Sequence, residues 1–127
     1  GFGAYNQEYS FFMDEGYMLD GTYVSGKYAK ARSKDIVLSN TNGAIGTIKE
    51  LNADFMLFQE VDKEANRSFK VNQYKMLMDD FGDYSSVYAS NFHSAYLLYP
   101  FNDPIGKTEA GIVTMSKYKI QNAERIK

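Results

Sequence analysis

Residues Asp54–Asp62, DFMLFQEVD, constrain this chain more than any other stretch. Phe55 to Gln59 are mostly large and apolar, and the carboxylates Glu60 and Asp62 come next. A short apolar run bounded by polar residues is the pattern of a strand buried on both faces. Ahead of it, Val37, Thr41, Ala44, Ile48 and Leu51 recur at three-four spacing and predict one face of a helix. Ser33 suits its N-cap, Asp35 favours the first turn, and Asn52 is a stop signal. Helix, tight turn and buried strand together put Glu60 at the strand's carboxyl end. That is the rim of a sheet, where α/β folds tend to place ligands. A carboxylate there binds a metal, acts as a base, or simply faces water. Asp62 reads as a cap of the following loop, with a water held beside the site as the alternative.

The remainder is organised around this unit. Residues 6–31 show no sustained period and predict a long loop anchored by Tyr9, Phe11, Phe12 and Tyr17. Gly16, Gly21 and Gly26 are evenly spaced, but the residues between them do not repeat. Lys63–Lys70 is polar and predicts a loop carrying Arg67 and Ser68. Val71–Phe81 predicts a second helix with Tyr74, Leu77, Met78 and Phe81 on one face, closed by Gly82. Strands are predicted at Tyr84–Asn91, Ser94–Tyr99, Glu109–Ser116 and Ala123–Ile126, with a turn through Pro104 and Gly106. The sum is an α/β fold, a mixed β-sheet with helices on one face and nothing to cover the other.

Composition narrows the chemistry. The 127 residues are one domain or part of one. There is no Cys, so disulfide and thiolate-metal chemistry are excluded. Only one His, His93, is present, which argues against a zinc site of nitrogen and sulfur ligands. A net charge of −2 gives no broad electrostatic footprint for nucleic acid. No run is long and apolar enough to span a membrane, so no transmembrane segment is expected. Eleven Tyr and nine Phe predict many half-buried rings.

Phe58–Asp62, FQEVD, placed after a helix and a strand, resembles the signature of the endonuclease/exonuclease/phosphatase superfamily, which has the fold of pancreatic deoxyribonuclease. The opening Gly1–Tyr5, GFGAY, resembles the segment just after that family's first strand, and Ala110–Tyr118, AGIVTMSKY, is similar to its later Gly-containing strand. Phe11–Gly16 and Asn91–Pro100 resemble a bacterial branch. The resemblance implies half of a four-layered α/β/β/α sandwich. Residues 1–127 would be the amino-terminal part of a single, incomplete domain. Its carboxyl-terminal half, with an Asp-x-Asn motif and an Asp-His pair, would be a missing partner lying beyond Lys127.

It implies a divalent-metal-dependent phosphoester hydrolase, a phosphodiesterase or phosphatase, with nucleases among its members. The superfamily acts on DNA, RNA, inositol phosphates and sphingomyelin. Glu60 would be a ligand to Mg²⁺ or Mn²⁺, while residues 1–127 alone would be inactive for want of a general base. The other candidates have two readings each. Arg67 reaches a substrate phosphate or is a solvated loop Arg. Asn91 contacts phosphate or caps a turn. Lys107 supplies positive charge or is a turn Lys. Glu109 stands near the position from which relatives aim a polar residue at phosphate, although a glutamate repels phosphate unless a cation intervenes. His93 reads as a loop or rim residue, because the family's catalytic His comes from the far carboxyl end. The bacterial branch implies an extracytoplasmic site, or a membrane anchor ahead of Gly1. The rival reading is a non-catalytic binding or interaction module that keeps the fold.

Overall fold

The computed structural model, which describes Phe2 and residues 11–126, runs β1 (Glu15–Tyr17), β2 (Tyr23–Ser25), α1 (Lys34–Leu51), β3 (Phe55–Ala65), a 3₁₀ turn (Asn66–Ser68), α2 (Gln73–Asp80), β4 (Ser85–Leu97) and β5 (Gly106–Ser116). The opening GFGAY, Phe2 excepted, and Tyr9 lie outside the described residues.

Helix α1 forms where its caps allow. The Ser33 side chain accepts the Ile36 N–H at 3.2 Å, and Asn52 closes the helix in the left-handed conformation at φ 44°. Asp35 and Lys49 complement the two ends of the helix dipole. The buried stripe is Val37, Thr41 and Ile45, whereas Leu51 is exposed. The stripe therefore drifts off the predicted face by the last turn. Helix α2 starts at Asn72, whose side chain accepts the Lys75 N–H at 2.8 Å. It is shorter than predicted, and Phe81 rather than Gly82 is its C-cap.

Strand β5 is the middle of a three-stranded sheet in the order β3-β5-β4, antiparallel on both sides. The expected mixed sheet is thus corrected. Among the described residues both sheets are antiparallel, and a parallel pairing occurs in an isolated bridge of Phe11 with Tyr28. One face of the larger sheet carries Met56, Phe58, Val113 and Met115 into a core completed by Ile45, Leu77 and Phe81 from the helices. The helices lie on one face, as expected. The other face leaves Phe55 65%, Leu57 78% and Ile112 43% exposed. The strand expected to be buried on both faces is therefore half-buried, and its apolar outer residues stay largely exposed, with the Tyr118 ring set against Phe55.

Further boundaries move for identifiable reasons. Residues 15–25 form a hairpin rather than open loop, with Gly21 at φ 83° between its strands and Tyr23 donating to Glu15 at 2.8 Å. The two strands predicted over 84–99 are one strand, β4, kept in its ladder by an extra residue at Asn91. A break in alternation was a bulge, not a gap. Ala123–Ile126 makes no strand and stays exposed.

Gly111 is where the sheet tolerates no side chain. A Cβ there would lie 2.5 Å from the Ala89 carbonyl oxygen and 2.6 Å from the Tyr88 ring. The carbonyl belongs to the ladder and cannot retreat alone. Gly111→Ala is expected to destabilise the protein by about 1–3 kcal/mol through overpacking, read as a lower denaturation midpoint. An unchanged midpoint would show that β4 and β5 lie far enough apart to admit a methyl group.

Candidate functional site

Two bulges at one level of the sheet build a pocket. On β3, Phe58 pairs with Val113 and Val61 with Gly111, so Gln59 and Glu60 together face Ile112. On β4, Ser90 pairs with Gly111 and Phe92 with Ala110, so Asn91 is the extra residue. The bulges flank the same short piece of β5. Bulges re-aim side chains, and here Glu60 and Asn91 line one open pocket of about 300 Å³ with Arg67, Phe92 and Ala110.

Glu60 lies inside β3 rather than at its end, because Val61 and Ala65 resume burial after the bulge. Its backbone has φ 54°, an unfavourable conformation for a residue with a Cβ. Its carbonyl accepts the Phe2 N–H at 2.9 Å, and the Phe2 ring packs edge-on to Phe58. The side chain is 62% exposed, with Oε2 3.4 Å from Arg67 Nη1.

Asp62, expected as a loop cap, is fully buried. It accepts from Arg67 Nε at 3.1 Å, Arg67 Nη2 at 2.8 Å and the Ser68 hydroxyl at 2.7 Å. The strand outlasts its predicted end, and the 3₁₀ turn folds Arg67 and Ser68 back over it. Arg67 is accordingly not a solvated loop residue, its side chain being only 15% exposed. Gln73 ties this layer to the helices. Its Oε1 accepts the Asp62 N–H at 3.1 Å, and its Nε2 donates to Thr41 Oγ1 at 3.0 Å and to the Phe2 carbonyl.

Of the remaining candidates, Asn91 joins Glu60 and Arg67 in the pocket, while Lys107 and Glu109 do not line it. Lys107 is exposed, and its N–H donates to Asn66 Oδ1 at 2.8 Å, which docks the start of β5 on the 3₁₀ turn. Glu109 pairs in register with Glu64 on one side and His93 on the other. His93 is exposed, and it is part of β4 rather than a loop. On Tyr88, burial first and then the Glu109 and Asp62 carboxylates push the phenol up to about 12.

The structural roles of Asp62 and Gln73 escaped the sequence reading. Asp62 was expected to cap a loop, and Gln73 falls in the second helix outside its predicted apolar face. A carboxylate five residues before an Arg and six before a Ser is visible in the sequence. It becomes a signal only once the strand is known to run to Ala65.

A hard divalent cation commonly uses one or two carboxylates, with waters and substrate oxygens completing its shell. Glu60 offers one exposed carboxylate, and Asn91, with its amide side chain, lines the same pocket from the β4 side. Asp62 is committed to Arg67 and Ser68. Among the described residues, no cluster of three or more His, Asp or Glu side chains is placed to hold a metal. The donors present thus suit part of a Mg²⁺ or Mn²⁺ shell. No helix among the described residues is long and apolar enough to cross a membrane. No protein-family model matches the chain, and neither a curated protein nor a solved structure does.

Proposed function

We propose that this chain is the amino-terminal half of a divalent-metal-dependent phosphoester hydrolase with the pancreatic-deoxyribonuclease type of fold. The observation that carries the reading is Glu60. An acidic residue with a Cβ occupies a left-handed bulge position and lines a pocket beside Arg67. Such conformations cost about 1–3 kcal/mol and gather at functional sites. A glycine would occupy the same position without that cost.

Three features support it. Phe2 docks on the bulge backbone, beside the residue to which the resemblance gives metal binding. The bare apolar face of Phe55, Leu57 and Ile112 suits a second sheet, as the four-layered arrangement requires. The pocket has a cation, Arg67, beside the carboxylate. In this reading Glu60 holds one side of a Mg²⁺ or Mn²⁺ ion, and Asn91 orients substrate or water from the opposite wall. The metal supplies Lewis-acid polarisation of the phosphoryl oxygen. The water-activating groups come from the carboxyl-terminal half, so residues 1–127 alone are inactive.

Hydrolysis of bis-p-nitrophenyl phosphate by the full-length polypeptide carrying this chain tests the proposal. Activity is expected with Mg²⁺ or Mn²⁺, to vanish with EDTA, and to fall about 100-fold in Glu60→Ala. Wild type and variant that are both folded and equally inert, across phosphodiesters and monoesters, would sink the enzyme and leave the binding module.

A further inference from the structure

We propose that Arg67 is a positioning residue for the Glu60 carboxylate, itself locked from behind by Asp62, and is not a clamp for substrate phosphate. The inference rests on the metal-binding reading of Glu60 and adds the device that aims it.

Two of the three guanidinium nitrogens, Nε and Nη2, are engaged by the two oxygens of the buried Asp62. That bidentate fork fixes the plane of the group. Asp62 is in turn held by the Ser68 hydroxyl and, through its own N–H, by Gln73. The orientation of Arg67 is therefore set by a buried network before any ligand arrives. The third nitrogen, Nη1, is presented 3.4 Å from Glu60 Oε2. A glutamate loses side-chain rotamer freedom when a metal fixes it. A cation beside one carboxylate oxygen restrains the side chain before a metal arrives. Groups hydrogen-bonded behind a metal ligand orient it in this way. A phosphate clamp, by contrast, needs a forked edge of the guanidinium; Asp62 occupies the Nε/Nη2 edge, and the Nη1 end already faces the like-charged Glu60 carboxylate, which repels a phosphate.

The charge of Arg67 gives the test its sign. A guanidinium beside a metal-binding carboxylate repels a divalent cation, so charge alone makes its removal favourable for metal affinity. Positioning makes its removal unfavourable. Mn²⁺ alone is the probe, titrated into the full-length polypeptide with the free-ion paramagnetic resonance signal as readout. Arg67→Lys keeps the charge but loses the fork. The double variant Asp62→Asn/Arg67→Met leaves net charge unchanged and strands no buried ion. Each is expected to bind Mn²⁺ about 10-fold more weakly with unchanged far-ultraviolet circular dichroism. If both match or exceed wild type while Glu60→Ala binds no Mn²⁺, the positioning role is overturned and the metal reading stands. If wild type binds no Mn²⁺, both fall together.

Discussion

Asp62→Ala is expected to lower stability by about 3–5 kcal/mol, because it removes one member of a buried ion pair and leaves the other charged. Arg67 keeps only a narrow opening to water, so little solvation replaces the lost carboxylate. Ser68, fully buried, loses its short hydrogen bond as well. Domains of this size are stable by roughly 5–15 kcal/mol, so the change consumes a large share of the total. Chemical denaturation of the full-length polypeptide reads it. The companion Asp62→Asn/Arg67→Met removes both charges and is expected to cost much less, since neutral, well-packed replacements of a buried pair are often tolerated. A single variant no less stable than the double would mean that Arg67 finds water or another partner, and that the pair does not anchor the 3₁₀ turn.

Glu60→Gly is expected to act in opposite directions on activity and stability. Like Glu60→Ala, it deletes the carboxylate and should lose about 100-fold in metal-dependent hydrolysis. Unlike alanine, glycine sits at φ 54° without a Cβ clash, a difference of about 1–2 kcal/mol. Greater unfolded-state freedom of glycine returns part of that, so the glycine variant should exceed the alanine variant by roughly 1 kcal/mol. Comparing the two variants is cleaner than comparing either with wild type, because both lack the Arg67 contact. Equal stabilities would mean that the bulge relaxes out of its left-handed form. Equal activities of glycine variant and wild type would remove Glu60 from the chemistry.

Much of the scaffold was legible because it depends on local pattern. Ser33 and Asn52 bracket α1 as their side chains and conformational range suggest. Leu77 and Phe81 face the core at helical spacing. The site was legible only in part. Glu60 stood out because an acid ended an apolar run, but its actual setting is a bulge. A bulge inserts one residue, shifts the alternation by one, and looks like the end of a strand. The same error split β4 at Asn91. Asp62 was misjudged more deeply. Its burial depends on Arg67 and Ser68 folding back through a 3₁₀ turn, a tertiary event that no spacing rule encodes. Lys107 was expected in a turn as a source of positive charge and Glu109 was drawn in by the resemblance, yet both lie in β5 and outside the pocket.

The central place of β5 also governs when this chain can acquire its structure. Strands β3 and β4 each pair with β5 and not with one another, and Ser116 pairs with both Phe55 and Ser85. Val113 and Met115, two of the residues that close the core, are among the last of β5. A nascent chain emerging from the ribosome therefore carries β3 and β4 as two unpaired strands until residues 106–116 have been made. Such edges are templates for wrong pairing, and long-range ladders of this kind form slowly. The stretch that joins the two bulges into one pocket is thus also the one whose synthesis ends the period of greatest exposure to aggregation.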